Sequence, residues 1–322
     1  MIPSAAILGI GAVTPIGRNL NEISRRLAAE PGTPPPVLRV SDDLLIEPTI
    51  ARSMRRADRF IRMAAIAALD AWTRAENACA AVAKEQIGLI VTSGLGPHCR
   101  GFKFLDDILD SGDSNALPTD FSHSVHGAAA SYIAGLLDLR GPSLTTTDFE
   151  IGFEQAVLLA QCWLHQGTCR RVLVGAVEEL GDTQIHMASR ILSGRKSISL
   201  GEGAVFLMLG SSDLEGIAQI DAATPPVEID LIAMDEPAII PEEGSANLVP
   251  GRHTVTFSPY FGHCATSSAF QLLGGLLSLI GRRPLGKPIG PMAPPATPGI
   301  VDNATTLRTS CGQPVTLSVK TV

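Results

Sequence analysis

Aromatic side chains are scarce in this sequence. Two Trp, two Tyr and ten Phe make up 4% of its 322 residues. A core must therefore be built mainly from Ala, Gly, Leu, Ile and Val, and small side chains let helices and strands approach closely. Charge is thin as well: 18% of residues are charged, the net is −7, and no block of one sign occurs. That excludes the electrostatic footprint of a nucleic-acid binder or of a protein drawn to anionic membranes. No apolar run reaches the roughly 20 residues that a membrane span needs. The start, MIPSAAILGIGAV, lacks the charged opening of a secretory signal and reads as a first strand. The six cysteines (Cys79, Cys99, Cys162, Cys169, Cys264 and Cys311) form neither a CxxC pair nor a dense framework. Reduced thiols in a cytoplasmic protein are expected. No Walker-type GxxxxGK[ST] occurs. GIGAVTPIG supplies Gly9, Gly11 and Gly17, but Thr14 stands where the GxGxxG fingerprint requires glycine. A tight strand-to-helix turn accounts for these glycines, and no cofactor is implied.

What is present is a hydrophobic content of 45%, enough for a large core in one large domain or two mid-sized ones. SAAILGIGAV reads as a strand, and NLNEISRRLAA as a helix with Leu20, Ile23 and Leu27 on one face. RRADRFIRMAAIAALDAW gives a strong helix through Phe60, Met63, Ala64 and Leu69. IGLIVTSGLG is a strand apolar on both faces, which suits a sheet buried on both sides. The Ala-rich FSHSVHGAAASYIAGLLDLRGP reads as a closely packed helix. SLTTTD is a strand, and FEIGFEQAVLLAQCWLHQG a helix that Gly167 stops. CRRVLVGAVEE and GEGAVFLMLGSS are neighbouring strands. Beyond residue 213, VEIDLIAM, HTVTFSP and PVTLSVKTV read as strands, and GHCATSSAFQLLGGLLSLIGRRP as a turn feeding an apolar helix. Strands alternating with helices define an α/β protein. SLTTTDFEIGFEQAVLLAQCWL and TVTFSPYFGHCATSSAFQLLGGLLSLI share one plan of strand, turn and buried helix, so the chain holds two weakly similar halves.

The turn between SLTTT and its helix offers Asp148, Phe149 and Glu150. Glu150 is placed in the first helical turn, where unpaired N–H groups favour negative charge. Acids there often only support the helix. The same field would also suit a thiolate, and a carboxylate cannot exchange thioesters with comparable ease. His263 follows Gly262 at the second such turn; it is a general base, an oxyanion donor or a structural histidine. Asp235 and Glu236 end the strand IDLIAM and could reach the same cleft. Cys162, His165 and Cys169 lie close in sequence, but a core cysteine and a helix C-terminal cation explain Cys162 and His165 better than a metal does. His126 belongs to a packing surface.

These motifs, in this order, resemble a β-ketoacyl synthase: GIGAVTPIG, RRADRFIRMAAIAALDAW, IGLIVTSGLG, SVHGAAASYIAGLLDLRGP, VLVGAVEE, LGEGAVFLML and GHCATSSAFQLLGGLLSLI. The match is dense over about residues 5 to 210 and patchy afterwards. SVHGAAASYIAG resembles in particular the branch associated with aryl-polyene and related type II systems. The resemblance implies a thiolase-like fold, two similar halves stacked as five α-β-α-β-α layers. Here the first would span residues 1–212, and a shortened second residues 213–322. It also implies a tight dimer with sheets continued across the interface. The active site would hold a Cys at a helix N-terminus, two His and a Lys.

Measured against that pattern, the nucleophile position falls on Glu150, the first histidine on Asp235 and the lysine on Ser258. Only His263 matches, and the glycine-rich C-terminal turn is reduced to SCGQPV around Cys311 and Gly312. Loss of a nucleophile alone typically costs on the order of 10⁴ to 10⁶ in rate. The expectation is a non-catalytic, chain-length-factor-like subunit that pairs with an active synthase and meets acyl-carrier protein. Its interface helix would carry Ser124, His126, Ala128, Ala129, Ala130 and Tyr132. Three alternatives stay open: a malonyl-carrier-protein decarboxylase using Glu150 and His263, a carrier-protein-binding scaffold, and a degenerate relic.

Overall fold

A computed structural model describes residues 3–112, 114, 116–191, 198–222, 229–234, 251–288, 301–310 and 313–321. Asp235, Glu236, Cys311 and Gly312 lie outside the described residues. Strand β1 (Ala5–Val13) is buried along its whole length. Helix α1 (Leu20–Leu27) follows, and Asn19 caps it by accepting the N–H groups of Asn21 and Glu22 at 2.9 and 3.2 Å. After the short β2 (Val37–Leu38) comes α2 (Arg59–Arg74), capped by Asp58, whose side chain accepts the Ile61 N–H at 3.1 Å. Phe60, Ile61, Met63 and Ile66 of α2 are buried, each worth about 1.5–3 kcal/mol relative to exposure.

The first half continues through α3 (Glu76–Cys79), β3 (Ile87–Ser93), α4 (His98–Ser111), α5 (Pro118–Ser124), α6 (Ala128–Leu137) and β4 (Ser143–Thr147). Then come α7 (Gly152–His165), β5 (Arg171–Glu178), α8 (Asp182–Ile191), β6 (Leu200–Gly201) and β7 (Gly203–Ser211). The second half supplies β8 (Ala218–Asp221), β9 (Ile229–Met234), β10 (Gly251–Thr256), α9 (Ser258–Phe261) and α10 (Ser267–Ile280). It ends with β11 (Lys287–Pro288), β12 (Asn303–Ser310) and β13 (Gln313–Lys320).

Eleven strands form one sheet in the order β11-β10-β9-β12-β13-β8-β1-β7-β5-β3-β4. Within it one pattern occurs twice. In the first half, β4-β3-β5-β7-β1 pair parallel, parallel, antiparallel, antiparallel. In the second, β10-β9-β12-β13-β8 repeat that sequence of pairings. The five strands also occur in corresponding chain order, so the weak echo between the two turn-and-helix segments reflects repeated topology. Three residues of β1 pair with β8 and join the halves.

The repeat places α7 after β4 and α10 after β10. Helix α7 packs on β3, β5 and β7 and also touches β13; α10 packs on β9, β12 and β13 and also touches β7. Both helices thus lie between the two halves of the sheet, and their buried residues belong to one core that includes Phe153, Val157, Leu272 and Leu276. On the outer face of the first half, α2 covers β1, β5 and β7 and packs against α6. This is the thiolase-like arrangement.

Several local expectations change. Gly9 and Gly11 lie inside β1 and not in the turn. A Cβ on Gly11 would stand 2.0 Å from the Ala67 carbonyl oxygen, and one on Gly9 2.2 Å from that of Ala71. They let α2 lie directly on the strand, while Gly17 (φ +132°) makes the turn. The stretch from Phe121 to Pro142 holds two helices, not one, because Val125 is extended and breaks it. Ala128, Ala129 and Ala130 are buried in their own chain's core on the α2 side, so their small size serves close packing within the chain. They are not available to a partner. Ser124 is half-buried, His126 is exposed with its ring close to Gly96, and Tyr132 bonds His123 at 2.9 Å.

Gly11→Ala is expected to destabilise the chain by about 1–3 kcal/mol or more in urea unfolding, because backbone and not a flexible side chain blocks the added methyl. Gly32→Ala, where a Cβ meets nothing within 4 Å, is expected to change stability by no more than about 0.5 kcal/mol.

Candidate functional site

The repeated topology brings the turn ahead of α7 toward the turn ahead of α10. In the first turn, Asp148 Oδ1 accepts the N–H groups of both Glu150 and Ile151 at 2.7 Å. This local ring holds the chain in a bend, and the helix starts only at Gly152, with Ile151 as its N-cap. Glu150 therefore precedes the helix and is exposed, which corrects its placement in the first helical turn. The acid in that turn is Glu154. It is 3% exposed and accepts a hydrogen bond from Ser268 Oγ of α10 at 3.0 Å, tying the two central helices together at their starts.

The second turn is fixed by backbone contact with the LGEG segment. His263 N donates to Ser199 O at 2.8 Å, and its carbonyl accepts from Gly201 N at 2.9 Å. Gly262 (φ +78°) and Gly201 touch through backbone, so a side chain at either would collide. His263 is buried. Ser258, at the expected lysine position, is buried too; its Oγ receives hydrogen bonds from Thr256 Oγ1 and Gln271 Nε2, both at 3.1 Å. Ser258 thus belongs to a neutral hydroxyl–amide network with Thr256 and Gln271.

Beneath the two turns lies Glu178, a residue that the sequence reading did not single out. It is 1% exposed. Ser93 Oγ donates to it at 3.2 Å, and the Gly94 N–H also does. Burial pushes its carboxyl up to about 7, against the opposing effect of bonds from Gly94, Ser93, Leu95 and Thr266. Ser93 ends β3, Gly94 and Leu95 belong to the loop after it, and Thr266 to the turn before α10. A Cβ on Gly94 would stand 2.3 Å from Ala265 Cβ and 3.3 Å from Phe149. Three loops therefore meet over one buried carboxyl.

A second carboxyl cluster adjoins it. Glu202 is fully buried and accepts from Arg59 Nε at 3.0 Å and from the N–H groups of Val40 and Leu180, also at 3.0 Å. Glu179 is 3% exposed and accepts the Cys99 N–H at 2.9 Å. Burial pushes Glu179 up to about 7, and burial together with Glu179 pushes the Cys99 thiol up to about 12, so Cys99 is not poised as a nucleophile. The available signal was acids standing in otherwise apolar strands: VLVGAVEE and LGEGAVFLML each carry them. Cys162, His165 and Cys169 form no ligand group among the described residues: Cys169 is buried and His165 is exposed. The five described cysteines are free thiols.

A core with two repeats of one sheet topology around two central helices defines a thiolase-like protein. The β-ketoacyl synthase N-terminal domain profile matches residues 43–212, just over half of the chain. The chain belongs to the β-ketoacyl synthase family. No curated protein sequence matches it. It is similar in structure to the ishigamide ketosynthase/chain length factor, with a TM-score of 0.80 and 17% identity, each chain fully covered. It is also similar to the ketosynthase ApeO in complex with its chain length factor ApeC from Xenorhabdus doucetiae, with a TM-score of 0.77 and 15% identity over 99% of this chain and 98% of that one. A third is the type II polyketide synthase acyl-carrier protein in complex with its ketosynthase, AntDE:AntF, with a TM-score of 0.76 and 15% identity, each chain fully covered.

Arg59→Met leaves the buried Glu202 charge without its main partner and is expected to cost about 3 kcal/mol in urea unfolding. Arg59→Met with Glu202→Gln is expected to recover part of that loss, because the neutral amide needs no counter-charge and its carbonyl oxygen can still accept a backbone N–H from Val40 or Leu180.

Proposed function

We propose that the chain is a non-catalytic β-ketoacyl-synthase-like subunit, similar in role to a chain length factor. It would pair with an active synthase in a type II fatty-acid, polyketide or aryl-polyene-type pathway. The observation that carries this reading is the turn ahead of α7, which presents the exposed carboxylate of Glu150 where the family's reactive thiol is expected. In this reading Asp235 occupies the first-histidine position, Ser258 the lysine position, and His263 is the one matching residue. Residues 1–212 form the synthase-like half and residues 213–322 the shortened half. The chain alone has no condensing activity.

The surface supports pairing. Strand β4 ends the sheet, and its Leu144 is 39% exposed. No residue of α4 is fully buried, and its Phe102, Leu105 and Leu109 are exposed. Leu117, Phe121 and Phe149 nearby in the sequence are exposed as well. Apolar side chains presented in such number by neighbouring elements favour an interface. Ser124 and His126 remain available for it, whereas Ala128 to Ala130 are not. Arg52, Arg55 and Arg56 are exposed within one short segment and suit an acidic partner, the role proposed for acyl-carrier protein.

Co-expression with a type II synthase is expected to give a stable heterodimer on size-exclusion chromatography. Leu144→Asp with Phe121→Asp is expected to abolish it while leaving the circular dichroism spectrum unchanged, since both positions are exposed. A chain that stays monomeric beside every candidate synthase, or forms only a homodimer, counts against the reading.

A second reading keeps chemistry at the site, because His263 is retained close to the Glu150 turn: decarboxylation of malonyl-carrier protein. It requires carbon dioxide release by the isolated chain, falling at least about 100-fold in Glu150→Ala. No release above background ends that reading.

A further inference from the structure

The first turn of α4 faces the end of β5, and three different metal-ligand types meet there. Cys99 Sγ stands 3.7 Å from His98 Nε2, and His98 Nδ1 stands 3.8 Å from Glu179 Oε1. One donor atom from each residue falls within a 4.8 Å group, the single such cluster of three among the described residues. Zinc bonds of about 2.0–2.3 Å to N, O and S place tetrahedral donors roughly 3.3–3.6 Å apart; Cys99 Sγ and His98 Nε2 are already close to that spacing, and rotation of the Glu179 carboxylate, whose donor lies within 4.8 Å, completes the set.

The surroundings are arranged as a ligand set requires. His98 Nδ1 lies 3.3 Å from the Gly96 carbonyl oxygen. A proton held there leaves the Nε2 lone pair directed toward Cys99, as an outer-shell acceptor does for a metal-bound histidine. The Cys99 N–H binds Glu179 Oε1 and fixes that carboxylate. Opposite them is Gly181. A Cβ there would sit 2.8 Å from both Cys99 Sγ and His98 Nε2, so the glycine leaves open the space in front of two donor atoms. Beyond it, a cleft of about 470 Å³ lined by Cys99, Phe102, Lys103, Gly181 and Thr183 reaches solvent. It gives the Cys99 side of the cluster a path to solvent.

We propose that His98, Cys99 and Glu179 form a binding site for one zinc-class divalent cation. A mixed N, S and carboxylate set favours zinc over magnesium or calcium, which prefer oxygen alone. Binding releases to solvent the thiol proton of Cys99 and any proton held by Glu179, and the thiolate and carboxylate so formed together balance the ion's two charges. The ion would clamp α4 to the end of β5. Because α4 carries Phe102, Leu105 and Leu109, occupancy would set how that apolar face is presented. The site does not depend on the pairing proposed above.

The test is Co2+ titration of the metal-stripped full chain. One equivalent is expected to give a thiolate-to-cobalt charge-transfer band and the visible d–d bands of a four-coordinate site, both removed by Zn2+. Cys99→Ser is expected to abolish the charge-transfer band. Gly181→Ala, which keeps every ligand, is expected to weaken binding about 10-fold or more, with circular dichroism melts confirming that both variants fold. Absence of the band, its persistence in Cys99→Ser, or unchanged affinity in Gly181→Ala overturns the proposal.

Discussion

Two helices share the central layer of this molecule, and the site follows from that constraint. Helices α7 and α10 each pack on their own half of the sheet and touch the other half. Their starts are held together by the hydrogen bond from Ser268 to the buried Glu154. Once that layer is fixed, the turns leading into the two helices converge, and the loop after β3 closes over them. Glu178 sits at the junction and receives hydrogen bonds from both sides. A buried carboxyl that is fully satisfied specifies how three loops meet, whereas a partly satisfied one would cost free energy. The three loops are therefore fixed relative to one another, with Glu150 exposed on the first turn.

That contrast between frame and contents organises the functional reading. The backbone features that present a nucleophile persist: strand, sharp turn, helix, and glycines where loops touch. In the proposed reading, the side chains that would make it reactive are replaced. Ser258 joins a neutral network with Thr256 and Gln271, and His263 is held by backbone bonds on both sides. Asp148 uses its carboxylate to cap the very turn that carries Glu150. On the proposed reading, such a frame with an exposed apolar edge serves contacts and not turnover.

Much of the fold was legible in the sequence. Strands buried on both faces read as continuous apolar runs, as in β3 and β5, and α2 announced itself through its periodicity. The likeness of the two turn-and-helix segments foretold the repeated sheet topology. The misses have physical causes. Helix α4 buries no residue fully, so it has no continuous core stripe to read. Ala128 to Ala130 gave the right inference about close approach and the wrong partner, since α2 offers an equally small surface within the chain. Glu150 was placed one step too far along because Asp148 delays the helix start. The carboxyls Glu178, Glu179 and Glu202 escaped notice because their partners come from distant segments: Arg59, Val40, Ser93 and Cys99 are brought to them only by the fold.

The central claim is that no residue at the junction of the two turns accepts an acyl group. Intact-mass spectrometry of the isolated chain after incubation with acyl-carrier protein tests it most directly. The account predicts an unmodified mass at all times of incubation. A mass increase of one acyl unit, mapped by peptide sequencing to Glu150 or Cys264, would contradict it.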